Sequence, residues 1–111
     1  DLIPVIATIG ADEDGQTYNI NADDAATEIA QELAAEKLIF LTDVPGLLAD
    51  VDDPGSLITR VSTTEVRDFI NSGVISGGMI PKMAGCIRAI ERGVGSVHLI
   101  DGRLSHVLLL E

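Results

Sequence analysis

From Leu2 to Ile9 the chain reads LIPVIATI, apolar and β-branched with almost no alternation. A short run of this kind fits a strand of a parallel sheet that is covered on both faces. The polar stretch ADEDGQ, residues 11–16, follows as a hairpin-type turn. The period then changes. Ala22, Ala26, Ile29, Ala30, Leu33 and Ala34 recur at helical spacing while Glu28, Gln31 and Glu32 face elsewhere, which predicts an amphipathic helix entered through Asn21 or Ala22. KLIFLTD, residues 37–43, reads as a second buried strand.

VPGLLADVDDPGS, residues 44–56, has repeated turn signals and no period, so it is expected to be a loop hanging from the strand end. Ser62 and Glu65 have the spacing of a capping box, and the helix they open is predicted to reach about Asn71 and to close near Gly73. Pro81 marks the first turn of another helix, in which Ala84, Ile87, Ala89 and Ile90 include apolar neighbours at i+3 and Gly93 is the stop. SVHLI, residues 96–100, is a further strand. Strands separated by helices indicate an α/β fold: a three-layer αβα sandwich around a mainly parallel sheet.

Composition narrows the function classes. The 111 residues are 46% hydrophobic, enough for one core. Trp is absent and the aromatics are one Tyr and two Phe, so the core is aliphatic and stacking platforms for bases are scarce. Eighteen acidic against seven basic residues give a formal charge of -11, which repels nucleic-acid backbones and anionic lipid at long range. Any bound anion must therefore be captured locally, by backbone amides and a few placed cations. The single Cys86 cannot form an intramolecular disulfide, and no apolar run approaches the ~18 residues of a membrane span. A soluble, intracellular protein is expected. The start is strand-like without an initiator Met and the end, SHVLLLE, stops inside an apolar run, so a piece of a longer chain is expected, with neighbouring strands supplied from outside.

Open parallel sheets bind ligands at the carboxyl ends of their strands, which directs attention to the loops after Leu41 and Ile100. Just before the first helix, NINAD places Asn19, Asn21 and Asp23 at alternate positions. N-capping by Asn21, with Asp23 favoured by the helix dipole, explains part of this pattern structurally. The remaining polar groups keep a binding site open. In LTDVPG, Asp43 leaves a buried strand and Pro45-Gly46 turns the chain; a structural turn and a nucleotide-binding loop share this signature. In ISGGMIPKMAGCI, residues 75–87, Gly77 and Gly78 allow amides to approach a phosphate and Lys82 brings charge. A cation near a helix start is opposed by the dipole by a few tenths of a kcal/mol or more, so an anion is expected nearby; a snorkelling surface lysine is the alternative. IDGR, residues 100–103, reads as a structural strand-end turn. His98, in a strand, and His106, in a terminal helix, are too isolated for a metal site. Cys86 lacks a His partner or a CxxC companion and reads as core filler.

Three stretches, NINADDAA (19–26), KLIFLTDVPGLL (37–48) and GGMIPKMAGCIRAIERGVGSVHLIDGR (77–103), closely resemble the carboxyl-terminal half of the N-acetyl-L-glutamate kinases of the amino acid kinase family, in wording most like cyanobacterial and plastid-type sequences. The resemblance covers essentially the whole chain in order. It implies the nucleotide-side part of the family's mainly parallel αβα sheet domain. The implied activity is ATP-dependent phosphorylation of the γ-carboxylate of N-acetyl-L-glutamate, an early step of arginine biosynthesis, in cytoplasm or plastid stroma. By position, Asn19 and Asn21 fall where acetylglutamate binds, Asn19 on its α-carboxylate side. Asp23 falls on the carboxylate that orients the catalytic lysines, and Lys82 on the lysine that stabilises the transferring phosphoryl group. Asp43, Val44, Pro45, Gly46, Leu47 and Leu48, with Val74, Ile75 and Ser76, match the segments that line the nucleotide. Mg²⁺ is implied on the ATP phosphates without a dedicated protein metal site. A homo-oligomer is implied as well, and a PII signalling protein docked near Arg88, although Arg88 and Arg92 at i, i+4 also read as a solvated helix face. The family's glycine-rich phosphate loop and first catalytic lysine belong to its amino-terminal half, which these residues do not include, so residues 1–111 by themselves are expected to be inactive.

Rival readings remain. A related kinase acting on carbamate, aspartate, glutamate or UMP is the nearest. A phospho-acceptor signalling domain needs paired acids at the end of its first strand, whereas Asp23 and Asp24 stand at a helix start. A non-catalytic interaction module is the third.

Overall fold

The computed structural model describes residues 2–109. Its elements in chain order are β1 (Ile9–Ala11), β2 (Thr17–Asn19), α1 (Ala22–Glu32), β3 (Lys37–Thr42), α2 (Thr63–Asn71), α3 (Met79–Glu91) and β4 (Ser96–Asp101), with short 3-10 turns at Pro54–Ser56 and Val107–Leu109. β1 and β2 form an antiparallel hairpin, and β3 pairs with β4 in parallel, Lys37 opposite Ser96 through Thr42 opposite Asp101. The α/β class with a parallel strand pair and covering helices is as the pattern predicts.

Local chemistry accounts for the helix ends. Asn21 Oδ1 accepts the amides of Asp23 and Asp24 at 2.9 and 3.2 Å, so α1 starts one residue later. Ser62 and Glu65 form the predicted capping box, with the Glu65 amide donating to Ser62 Oγ at 3.2 Å and the Ser62 amide to the Glu65 carboxylate at 2.8 Å. α3 begins two residues ahead of Pro81. Gly77, at φ 55, turns the chain into it, and Pro81 falls within the first turn, where its missing N–H has no intrahelical acceptor to lose.

Along β3, Leu38, Phe40 and Thr42 are buried on one side while alternate residues are more open. Leu38 and Phe40 join Ala30, Ala89 and Val94 in one apolar cluster, and Leu47, Val66, Ile75, Met83 and Ile87 form a second. α3 packs against α1, α2 and β4, so it lies between the clusters. The turn into β4 is tight: a Cβ on Gly95 would stand 2.6 Å from the Glu36 carbonyl oxygen.

Two expectations are corrected. Leu2 to Ile9 is not a buried strand: residues 2–8 lie outside any strand, Leu2 and Val5 are 97% and 96% exposed, and only Ile9 pairs, antiparallel, in β1. A doubly covered strand requires neighbours on its edges and layers on its faces, and the described residues supply neither. His106 is not helical either. It sits at φ 61 in a turn, and its carbonyl accepts the Leu109 amide at 2.9 Å, closing a 3-10 turn instead of an α-helix. Among the described residues no helix is long and apolar enough to cross a membrane.

Candidate functional site

α1 and α3 run parallel with their starts side by side. Their cross-links follow one another in the same order along both helices. Near the starts, Lys82 Nζ donates to Asp23 Oδ2 at 2.5 Å. Further along, Arg88 reaches Asp24 at 3.1 Å, and Arg92 donates to Gln31 Oε1 at 3.0 Å and lies 3.6 Å from Glu28. Between the helices Thr27 is fully buried, its hydroxyl donating to the Asp23 carbonyl at 2.7 Å. The backbone that carries Asp23 is thereby fixed from within the helix contact.

The anion expected near Lys82 is thus present in the protein itself. The pair is partly open, with the Lys82 side chain 21% and the Asp23 side chain 41% exposed. The Lys82 ammonium also stands 5.3 Å from the centroid of the Phe40 ring, within cation–π range. Two positive helix ends meet here, which favours an anion, while Asp23 offsets part of that field.

The other predicted residues are placed as follows. Asn19 ends β2 opposite Ile9, exposed, and only Ile20 separates it from the capping Asn21. Asp43 to Leu48 leave the carboxyl end of β3. There the Thr42 hydroxyl donates to the Val44 carbonyl at 2.7 Å, Gly46 adopts φ 139, and Leu48 bridges to Leu57. Val74 is exposed, Ile75 is buried, and the Ser76 carbonyl accepts the Met79 amide at 3.2 Å. The side chains of Leu47 and Ile75 belong to the core, so at these two positions only the backbone is available to a ligand. The Met79 and Ile80 amides turn back onto the carbonyls of Ser76 and Gly77, which occupies part of the α3 start.

The carboxyl ends of β3 and β4 carry a second polar group. Arg103 donates to both Asp101 oxygens at 2.8 Å, and these hydrogen bonds hold the Asp101 carboxyl down to about 2. The same bonds raise Arg103, and Asp43 adds to that by its charge. IDGR is therefore a self-bonded turn, as expected. A groove of about 710 Å³ runs beside β4, lined by Pro45–Leu47, by 57–61 and by Leu104 and Val107, and it does not include Lys82 or Asp23. Burial, against the pull of Lys82, pushes the Cys86 thiol up to about 11, which disfavours the nucleophilic thiolate. His98 Nε2 lies 3.1 Å from Ser96 Oγ. Among the described residues, no group of three or more His, Cys, Asp or Glu is placed to hold a metal ion.

Sequence reasoning missed the partners of the two arginines and the ring under Lys82. A signal for the first was present: Asp24 and Glu28 are four apart on α1, as Arg88 and Arg92 are on α3, which is what two aligned helices need to pair. Phe40 left no such signal, since an aromatic in an apolar strand reads as core.

Residues 1–101 match the family described as Amino acid kinase family. Over 109 residues, 98% of the chain, the sequence is 58% identical to the acetylglutamate kinase of Nostoc sp. and 61% identical to that of Methanobrevibacter smithii. Identity of that order to both carries no lineage. The chain spans 37% of the length of each of these curated relatives. Among solved structures, the N-acetylglutamate synthase from Neisseria gonorrhoeae complexed with coenzyme A and N-acetyl-glutamate superposes with a TM-score of 0.82 at 26% identity, over 92% of this chain and 23% of that one.

Proposed function

The chain belongs to the amino acid kinase family, and on that premise we propose that it is the carboxyl-terminal, nucleotide-side part of an acetylglutamate kinase, which phosphorylates the γ-carboxylate of N-acetyl-L-glutamate with ATP. The observation that carries the reading is the Lys82–Asp23 pair, a lysine held by a carboxylate where two helix starts meet. Joining a carboxylate to a triphosphate brings anions together, so the protein's task is positioning and charge neutralisation. A carboxylate oxygen of the substrate forms a bond to the γ-phosphorus, the bond from that phosphorus to the ADP oxygen breaks, and ADP leaves with the electron pair. Lys82 stabilises charge on the transferring group, and Asp23 fixes where that ammonium points. Asn19 and Asn21 bind acetylglutamate, while Asp43 to Leu48 and Val74 to Ser76 line the nucleotide. Mg²⁺ would enter with the nucleotide and would supply charge neutralisation that a chain this acidic cannot; among the described residues no cluster of three or more His, Cys, Asp or Glu is placed to hold it.

The same reading includes a homo-oligomer, a cytoplasmic or plastid location and a PII protein docked near Arg88, a half-exposed guanidinium tied to Asp24. Pull-down of the complete enzyme with PII, wild type against Arg88→Glu, tests the docking surface. The activity is tested by hydroxamate trapping of the acyl phosphate with the complete enzyme, offering acetylglutamate, glutamate, aspartate, carbamate and UMP in turn. Turnover of acetylglutamate that is lost in Lys82→Ala is the expected result; preference for another acceptor replaces this reading by its nearest rival.

A further inference from the structure

Lys82 is restrained from two directions. Asp23 draws the ammonium toward α1 at 2.5 Å, and from β3 the ring of Phe40 stands 5.3 Å beneath it. A carboxylate alone is a poor clamp for lysine. Its four-carbon stem has many rotamers, and with the Asp23 side chain 41% exposed the ammonium has water to turn to. The ring closes the inner side. Phe40 is 6% exposed and fixed by the strand alternation that buries Leu38 and Thr42 with it, so its face cannot swing away. Its π-face carries negative quadrupole charge, which favours an ammonium at this distance and direction. With only Tyr18, Phe40 and Phe69 as aromatics in the chain, an aliphatic side chain would have served the core here as well as it does at Leu38.

We propose that Phe40 is a positioning residue for Lys82: its ring face and the Asp23 carboxylate together hold the ammonium where the transferring phosphoryl group arrives. The inference rests on the assignment of Lys82 to phosphoryl transfer. It differs from a packing role in one respect, since a packing role depends on volume whereas this one depends on the π-face.

The test compares Phe40→Leu, Phe40→Met and Phe40→Tyr in the complete enzyme, with Lys82→Met as reference. Leu and Met remove the ring at tolerable volume, so that one misfolded variant does not leave the question open; Tyr keeps the ring. The expected result is a kcat lowered about three- to thirtyfold in Leu and Met, the range a cation–π contact supplies, with KM within twofold of wild type and with Tyr restored to near wild type. A kcat near wild type in Leu or Met, or an equal loss in Tyr, overturns the proposal. Thermal midpoints of Phe40→Leu, Lys82→Met and the double variant give a readout that does not use activity. Non-additive shifts support the contact and additive shifts overturn it. If wild type fails to phosphorylate acetylglutamate, the functional reading falls and this thermal cycle alone decides whether Phe40 holds Lys82.

Discussion

Asp23→Asn is the sharpest perturbation of the site, because it removes a charge without removing volume. At 2.5 Å the gross Coulomb attraction of the pair is ~7 kcal/mol at an effective dielectric of 20. Little of that reaches stability. With the side chains 21% and 41% exposed, water screens the pair and ordering the lysine costs entropy, leaving roughly 0–1 kcal/mol, as for other open pairs. The thermal midpoint should fall by no more than about 2–4 °C, the shift that 1 kcal/mol causes in a domain of ~150–250 residues. On the role proposed for Lys82, turnover should respond on another scale: an ammonium that is no longer aimed is equivalent to a missing electrostatic stabiliser, a loss of ~10²–10³ in kcat. The assay pairs initial rates by hydroxamate trapping with scanning calorimetry on the complete enzyme, for Asp23→Asn, Lys82→Met and the double variant. Groups that act as a unit are strongly non-additive, so the double variant should be no slower than the worse single one. A kcat for Asp23→Asn within threefold of wild type, or a rate loss that merely follows unfolding, refutes the reasoning.

Gly95→Ala should destabilise by ~1–3 kcal/mol, the cost typical of overpacking, because the new Cβ meets the Glu36 carbonyl oxygen at 2.6 Å and backbone has to move; urea denaturation measures it, and an unchanged midpoint counts against the geometry. For Cys86, with the thiol at about 11 in the folded state, iodoacetamide at pH 8 should react roughly 10²-fold more slowly with native protein than with protein in urea. Because the folded value is raised, the associated stability is present below the ordinary thiol pKa and is lost as pH rises through about 11. Asp101 has the opposite sign. Its carboxyl is held down to about 2, so its stabilisation is present above the ordinary carboxylate range and is lost as pH falls through about 2. Arg103→Ala should return the Asp101 carboxyl toward its ordinary value in a carbon-detected NMR titration.

The parts of the fold that were legible are those set by nearest neighbours in sequence. Asn21 and the Ser62–Glu65 box fix helix starts through bonds spanning three residues or fewer, and such bonds are written in local order. β3 and β4 were legible as apolar runs. Leu2 to Ile9 has the same character and failed, because whether an apolar run becomes a strand depends on partners that its own residues do not encode. The candidate site divides in the same way. Asp23 and Lys82 stood out through motif and helix position, although their contact depends on α1 and α3 lying parallel. Phe40 was invisible because whether its ring meets Lys82 depends on which side of β3 faces α3.

The two apolar clusters have just Cys86 and Leu99 in common among the described residues, one from α3 and the other from β4. This arrangement has a consequence for the order of folding. α3 and β4 are joined by a tight turn, so their mutual docking closes a small loop, whereas β3 meets β4 only after the whole stretch from Asp43 to Gly95 has been brought round. On this loop-closure argument the α3–β4 unit is expected to act as the nucleus on which α1 with β3, and separately α2 with the loop before it, condense as two wings, and φ-values across the two clusters test that order. Substitutions at Cys86 and Leu99 should slow folding, while those at Leu38 or Val66 should chiefly speed unfolding.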